Sequence, residues 1–299
     1  MFSHIIGNEQ MKSYLQKAIE KNCLAQTLLF IGPDGIGKSL FAKAIAKTLL
    51  ASNHSPDLHI YAPEGKSGLY AIDTLRELIE QEHSAPFESK GKVFILEDAA
   101  RMQPASANAL LKTLEEPTPE TTFILLTSHP SGMLPTILSR CSQLHFQPLT
   151  TEEIAHLLRE RGHPIHFAKW ASGSFGKALE FAATPEFEEQ RGALFKLLRA
   201  PPSYPELALK LTELEKKLEG EEDPVKWARR VDDLFAAIFM WHRDQHVRDV
   251  GAKEELLYFP DEPKCPAVSL KEIEWKIHQA RLGIERNLKL SACLTYLFS

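Results

Sequence analysis

The chain is 299 residues long, enough for two or three domains with cores of their own, and its 43% hydrophobic and 25% charged residues are ordinary for a soluble protein. A net charge of −5 and a pI near 6.2 weigh against a protein that grips nucleic acid by bulk charge alone. No run is long enough for a transmembrane helix and no signal-peptide pattern opens the chain, so the expectation is a cytoplasmic protein with no membrane partner. Cys23, Cys141, Cys265 and Cys293 are too far apart for metal-ligand spacing and are expected to be reduced, buried thiols. His54, Asp57 and His59 stand close together, but no thiol or second histidine pair completes a zinc site.

In chain order, residues 1–25 read as a lead-in and a helix with Met11, Leu15, Ala18 and Ile19 on one face, ending near Asn22. Leu28, Leu29, Phe30 and Ile31 form an unbroken apolar run, which suits a strand buried on both faces of a parallel sheet. Gly32-x4-Gly37-Lys38-Ser39 follows at once and leads into a helical pattern of Leu40, Phe41, Ala44, Ile45, Thr48 and Leu49. That is a phosphate-binding loop in its strand–loop–helix setting. Gly32, Pro33, Asp34, Gly35, Ile36, Gly37, Lys38 and Ser39 make the cradle, in which the glycines let successive amides point at one anion. Lys38 reaches the β and γ phosphates and the Ser39 hydroxyl ligates Mg²⁺, so ATP and Mg²⁺ are the expected ligands.

A polar gap, Ser52 to Asp57, precedes a short strand at Leu58–Ala62 and an amphipathic helix at Ile72–His83. Val93–Leu96 is a second buried strand, ending in Glu97-Asp98. Pro104 opens a helix through Glu116 with Ala107, Leu110, Leu111 and Leu114 inward, and Pro117 stops it. Phe123–Leu126 is another strand, closing on Thr127-Ser128, followed by a helical turn at Ile137–Arg140 and a strand at Leu144–Phe146. Strands alternating with helices mean an α/β fold with a parallel sheet covered on both faces. Its ligand then sits at the carboxyl ends of the strands, where Gly32, Glu97, Asp98 and Thr127 fall.

From Thr150 the strand signals vanish. A helix capped by Thr150 or Thr151 runs to Arg161, and a second helical stretch covers Phe167–Ala183. After Pro185 the pattern is wholly helical, with Trp227, Val231, Leu234, Ile238 and Trp241 at helical spacing. Ile273, Ile277, Ala280, Ile284 and Leu288 repeat it, entered through a capping box at Ser269-x-x-Glu272. Pro201-Pro202 and Phe259–Pro266 read as loops. Three domains are expected: 1–149 binding nucleotide, 150–185 a small helical lid, and 186–299 an all-helical unit.

A nucleotide site of this kind needs a carboxylate at a strand end for the Mg²⁺ shell and a base to position water. Glu97 fits the first role and Asp98 the second, against the plainer reading of both as solvated turn residues. Leu138-Ser139-Arg140-Cys141 reads either as a surface arginine beside a buried cysteine or as an arginine offered to a nucleotide on a neighbouring subunit. Such an arginine supplies about 10³ to 10⁵ in rate.

Ile5-Ile6-Gly7-Asn8, GPDGIGKS, ANALLKTLEEP at Ala107–Pro117 and LSRC at Leu138–Cys141 together resemble the AAA+ clamp-loader family of bacterial DNA polymerase III. The match is strong over residues 1–150, weaker over the lid, and only architectural beyond. The resemblance implies a hetero-oligomer with motor subunits (gamma/tau) and a delta subunit, which opens the ring-shaped sliding clamp and places it on primed DNA using ATP. The resemblance further implies a part of a DNA polymerase complex that is not itself the polymerase. The family's stator member offers the arginine of the SRC motif, here Arg140, in trans to the ATP of the adjacent motor, and the helical C-terminal third joins the collar.

Three departures from a working motor stand out against that resemblance. Motors end the acidic strand in Asp-Glu, whereas Glu97-Asp98 reverses the order and displaces the metal carboxylate and the base by one methylene each. A misplacement of about 1 Å can cost on the order of 10²-fold. Gly176, in Gly173-Ser174-Phe175-Gly176-Lys177-Ala178-Leu179, stands where motors carry a phosphate-sensing arginine, and Lys177 points about 100° away. The four-cysteine zinc module common in relatives is missing. ATP binding with weak or absent hydrolysis is therefore expected. The alternatives are an ATP-hydrolysing motor of the same assembly, a P-loop kinase (for which Arg159, Arg161 and Lys177 make a poor lid), and a DNA-binding module using Arg101 and Lys112.

Overall fold

The computed structural model describes residues 1–52, 55–63, 69–218 and 224–298. His54 and part of the polar gap lie outside them. The chain divides into two compact units, Met1–Glu180 and Phe181–Ser299.

The first unit runs α1 (Glu9–Glu20), β1 (Thr27–Ile31), α2 (Lys38–Leu50), β2 (Leu58–Tyr61), α3 (Ile72–His83), β3 (Lys92–Leu96), α4 (Pro104–Glu115), β4 (Thr121–Thr127), α5 (Pro135–Leu138), β5 (Ser142–His145), α6 (Thr151–Glu160) and α7 (Phe167–Trp170), and it ends within α8 (Phe175–Ala183). The five strands form one parallel sheet in the order β2-β3-β4-β1-β5. Alternate residues of a strand point to opposite faces, and here both faces are covered. Leu28, Phe30, Val93, Ile95, Ile124 and Leu126 pack with α1 and α2, whereas Leu29, Ile31, Phe94, Leu96, Phe123 and Leu125 pack with α3 and α4. That two-sided burial is why the strands read as unbroken apolar runs. Truncating one such core leucine to alanine costs about 2–5 kcal/mol.

Register aims the strand ends. Ile31 pairs with Thr127 and Leu96 with Leu125, so Gly32, Glu97 and Thr127 emerge at one edge of the sheet. At the opposite edge, the buried Lys92 ammonium donates to the carbonyls of Gln81 (2.7 Å), Glu82 (2.5 Å) and Ser84, closing the C-terminus of α3. Asp57 accepts the amides of Phe87, Glu88 and Ser89 at 2.5, 3.0 and 2.7 Å. Asp57 thus pins the loop before β3. Among the described residues no group of three or more His, Cys, Asp or Glu is placed to hold a metal ion.

The second unit holds α9 (Pro185–Arg199), α10 (Tyr204–Leu218), α11 (Pro224–Asp249), α12 (Leu270–Glu285) and α13 (Leu290–Leu297), with a short 3-10 turn at Glu254–Leu256. Leu211, Leu214, Leu234, Ile238, Trp241, Ile277 and Leu294 are buried in it. Glu215 ties the start of α13 down, accepting the Leu290 amide (2.7 Å) and the Ser291 hydroxyl (2.7 Å). No helix among the described residues is long and apolar enough to cross a membrane.

Four expectations need correction. The helical stretch over 167–183 is two helices, because Ser172 (φ 48°) and Gly173 (φ 85°) adopt the left-handed conformation that no α-helix continues. The capping box holds at Thr150–Glu153 but not at Ser269, whose side chain makes no cap bond. There Glu272 pairs instead with Lys276 one turn on (3.0 Å). Leu288 falls beyond the end of α12 and is 58% exposed. All four cysteines are free thiols, but only Cys293 is buried, and Cys23 is exposed.

The Asp57 carboxyl shows what its loop contributes. Burial alone would raise its pKa, but the three amides outweigh that and hold it down at about 2. A depressed carboxyl contributes stability that is present above its unfolded pKa and lost as pH falls through the folded one. Asp57→Asn should therefore lower unfolding stability at pH 7 by about 1–3 kcal/mol. Urea denaturation at stepped pH should show the gap to the parent protein closing between about pH 4 and pH 2.

Candidate nucleotide-binding site

The loop Gly32–Ser39 leaves the end of β1 and turns into α2. Gly32 N donates to Thr127 O (3.1 Å), fastening the loop to the neighbouring strand. Ile36, 2% exposed, sinks into the core and anchors the middle of the loop. Gly37 at φ 101° makes the turn into the helix, a conformation that side chains rarely adopt.

Lys38 is buried, and its ammonium is folded back into its own loop. It donates to Gly32 O and Pro33 O (2.7 Å for the latter) and lies 3.6 Å from Asp34 Oδ1. Burial pulls its pKa down, opposed by Asp34 and more weakly by Asp98. A phosphate would take over the donors that these carbonyls now use. Asp34 also accepts from Ser128 Oγ (3.2 Å), so it crosses between the loop and the end of β4.

Ser39 Oγ donates to Glu97 Oε1 at 3.0 Å. This hydroxyl and carboxylate are hard oxygen donors of the kind Mg²⁺ takes when it completes its shell with phosphate and water. The donor set fits the ion. Asp98, the expected base, sits in the left-handed conformation at φ 48° with its carboxylate on Arg101 Nε (2.5 Å). Arg101 is therefore engaged at the site, while Lys112 stands exposed on α4. Thr127 is 1% exposed, and its hydroxyl oxygen accepts the His129 amide (3.1 Å). The sheet thus gathers Gly32, Lys38, Ser39, Glu97, Asp98 and Thr127 at one edge.

Arg140 is not part of this cluster. It follows α5, with its side chain 30% exposed. Its Nε and Nη2 reach Glu115 Oε2 (3.0 and 2.9 Å), and Nη1 reaches Thr136 O (3.0 Å). The neighbouring Cys141 thiol is pushed up to about 12 by burial and is inert as a nucleophile.

The start of α8 meets the loop Gly32–Ser39 directly. Gly176 N donates to Gly35 O (2.9 Å), and an added Cβ at Gly176 would lie 2.8 Å from Gly35 Cα. Gly176 therefore marks a close backbone approach as well as a missing side chain. Lys177 N bonds Ser174 Oγ (3.1 Å), and Arg161 stacks over the Phe175 ring at 4.6 Å.

Two contacts carry no local signal in the sequence. Asn8 precedes α1, where asparagine ordinarily caps. Instead it clasps the backbone of Gln147, donating to its carbonyl (3.0 Å) and accepting its amide (2.7 Å) across 139 positions. Tyr70 sends its hydroxyl to the carbonyls of Tyr61 (3.0 Å) and Glu97 (2.5 Å), bracing the acidic strand end.

A Gly-rich loop of the phosphate-binding pattern heading a doubly buried central strand, with a hydroxyl–carboxylate pair beside it, makes the first unit an α/β domain of the P-loop type. Residues 7–150 match the family model described as DNA polymerase III, delta subunit. DNA polymerase III subunit delta' of Bacillus subtilis is 33% identical over 204 residues, covering 61% of this chain and 61% of that protein. Subunit gamma/tau of Mycoplasma pneumoniae is 33% identical over 177 residues, covering 53% of this chain and 26% of that protein. A solved DNA polymerase III gamma subunit-related protein from Thermotoga maritima aligns over 97% of this chain and 96% of its own, at 18% identity and a TM-score of 0.49. Over residues 7–150 this chain is thus similar to subunits of DNA polymerase III, of both the delta' and the gamma/tau kind, and it spans less than two thirds of the length of those relatives.

The contact between Gly35 and Gly176 leaves no room for a methyl group, and backbone atoms on both sides cannot step aside. Gly176→Ala should weaken the seating of α8 on the loop by about 1–3 kcal/mol. Amide exchange over residues 173–183 should then rise roughly ten- to hundredfold while that of β1 and β4 is unchanged.

Proposed function

We propose that this chain is a stator-type, delta'-like subunit of the DNA polymerase III clamp loader. In this reading it donates Arg140 to the ATP site of an adjoining motor subunit and turns over little ATP itself. The observation that carries the reading is the place of Arg140. It lies outside its own nucleotide cluster, at the surface, with the guanidinium held between Glu115 and Thr136. An arginine finger must be reachable from another protomer and held in a defined direction.

The chain's own pocket supports ATP binding. Lys38 would exchange the carbonyls of Gly32 and Pro33 for phosphate oxygens, Ser39 and Glu97 would hold Mg²⁺, and the loop amides would cradle the phosphates. Bound Mg²⁺ would neutralise charge on the β and γ phosphates. Hydrolysis is poorly served. Asp98 is committed to Arg101 and sits a methylene short of a glutamate, and Gly176 offers no cation. Residues 150–185 act as lid and 186–299 as collar, joining gamma/tau and delta partners around the sliding clamp and primed DNA. The second reading, a motor of the gamma/tau kind, draws on the intact Lys38, Ser39 and Glu97 and on the gamma/tau relatives.

Two experiments separate the readings. In a complex reconstituted with the motor subunits, Arg140→Ala should leave assembly intact. It should slow single-turnover hydrolysis at the facing site by about 10³ or more. Normal hydrolysis and clamp loading by that complex would remove the role given to Arg140. For the isolated chain, fluorescent ATP should bind and Lys38→Ala should weaken it at least tenfold, with negligible phosphate release from either protein. Robust phosphate release that depends on Lys38 would establish the motor instead.

A further inference from the structure

We propose that Glu115 is the positioning residue for Arg140, holding the guanidinium so that its outer edge faces an anion on a neighbouring protein. The inference rests on the reading of Arg140 as a donated arginine and adds the group that aims it.

A guanidinium has five N–H donors in one plane. Arg140 directs Nε–H at Oε2 of Glu115, at 3.0 Å, with Nη2 2.9 Å from the same oxygen, and one Nη1–H at the Thr136 carbonyl, at 3.0 Å. One hydrogen on each terminal nitrogen is left over. The two acceptors sit on separate elements, Glu115 closing α4 and Thr136 within α5, so they fix the plane as well as the position of the group. Paired terminal N–H groups in one plane are the geometry that grips a phosphate in bidentate fashion.

The contact does little for folding. The two side chains are 30% and 56% exposed, and ion pairs at such exposure contribute little to stability. What it changes is the freedom of a long side chain, which would otherwise be ordered only when the partner arrives. Pre-ordering favours the transition state when the arginine engages there and not in the ground state, so the gain falls in kcat.

The alternative for the same geometry is a latch, in which the carboxylate competes with the phosphate for the guanidinium. The two differ in sign. In the reconstituted complex with motor subunits, Glu115→Ala should lower kcat for ATP at the facing site roughly three- to tenfold with KM and assembly unchanged. Glu115→Gln, which keeps one acceptor oxygen, should recover part of the loss. On an Arg140→Ala background, Glu115→Ala should have no further effect, because the two act as a unit. An unchanged or raised kcat for Glu115→Ala, in a complex that Arg140→Ala still impairs, overturns the positioning role alone. An Arg140→Ala complex of full activity overturns the donated arginine and this inference with it.

Discussion

The structure depends on β1 running through the middle of a parallel sheet with no solvent on either face. Phe30 and Leu28 fill one core, Leu29 and Ile31 the other, and β4 and β5 occupy both hydrogen-bonding edges. A strand held this way ends at a fixed point. Everything chemical in the first unit is hung from that point. Gly32 is bonded to Thr127, Lys38 begins the helix that follows, and Glu97 arrives from β3 within reach of Ser39. A one-residue slip would exchange the two cores and carry Gly32 away from Thr127.

The residues of the site bond to one another. The Lys38 ammonium is spent on its own loop and on Asp34, the Ser39 hydroxyl on Glu97, and the Asp98 carboxylate on Arg101. Each of these charges has a polar partner, which offsets the cost of burying it. The same economy governs Arg140, whose pairing with Glu115 and Thr136 keeps a long cation in one orientation at the surface. The site and Arg140 are separate arrangements in one unit, each held by its own local hydrogen bonds.

Much of this was legible in the residues. Strands at 58, 93 and 123 and helices at 72–83 and 104–115 follow from periodicity and from Pro104, because both depend on neighbours close in the chain. Thr150 and Glu153 form the capping box that their spacing implies. Ser269 and Glu272 have the same spacing and do not, because Lys276 competes for the carboxylate. The break at Ser172-Gly173 is set by the chain at Pro148 and Leu149, against which the turn packs. Leu149 N bonds Gly173 O at 2.9 Å, and a Cβ at Gly173 would lie 2.4 Å from Pro148 Cβ.

Sequence alone determined the phosphate loop, the alternation of strands and helices, the acidic pair at the end of β3 and the resemblance carried by the SRC arginine. Each is a pattern among residues a few positions apart, where backbone geometry and side-chain period leave few choices. Only the tertiary structure decided that Asn8 clasps Gln147, that Asp57 serves the loop before β3, that Gly176 touches Gly35, and that Glu115 meets Arg140. Those contacts join segments from 25 to 141 positions apart, and their partners come together only when the sheet's register brings them there.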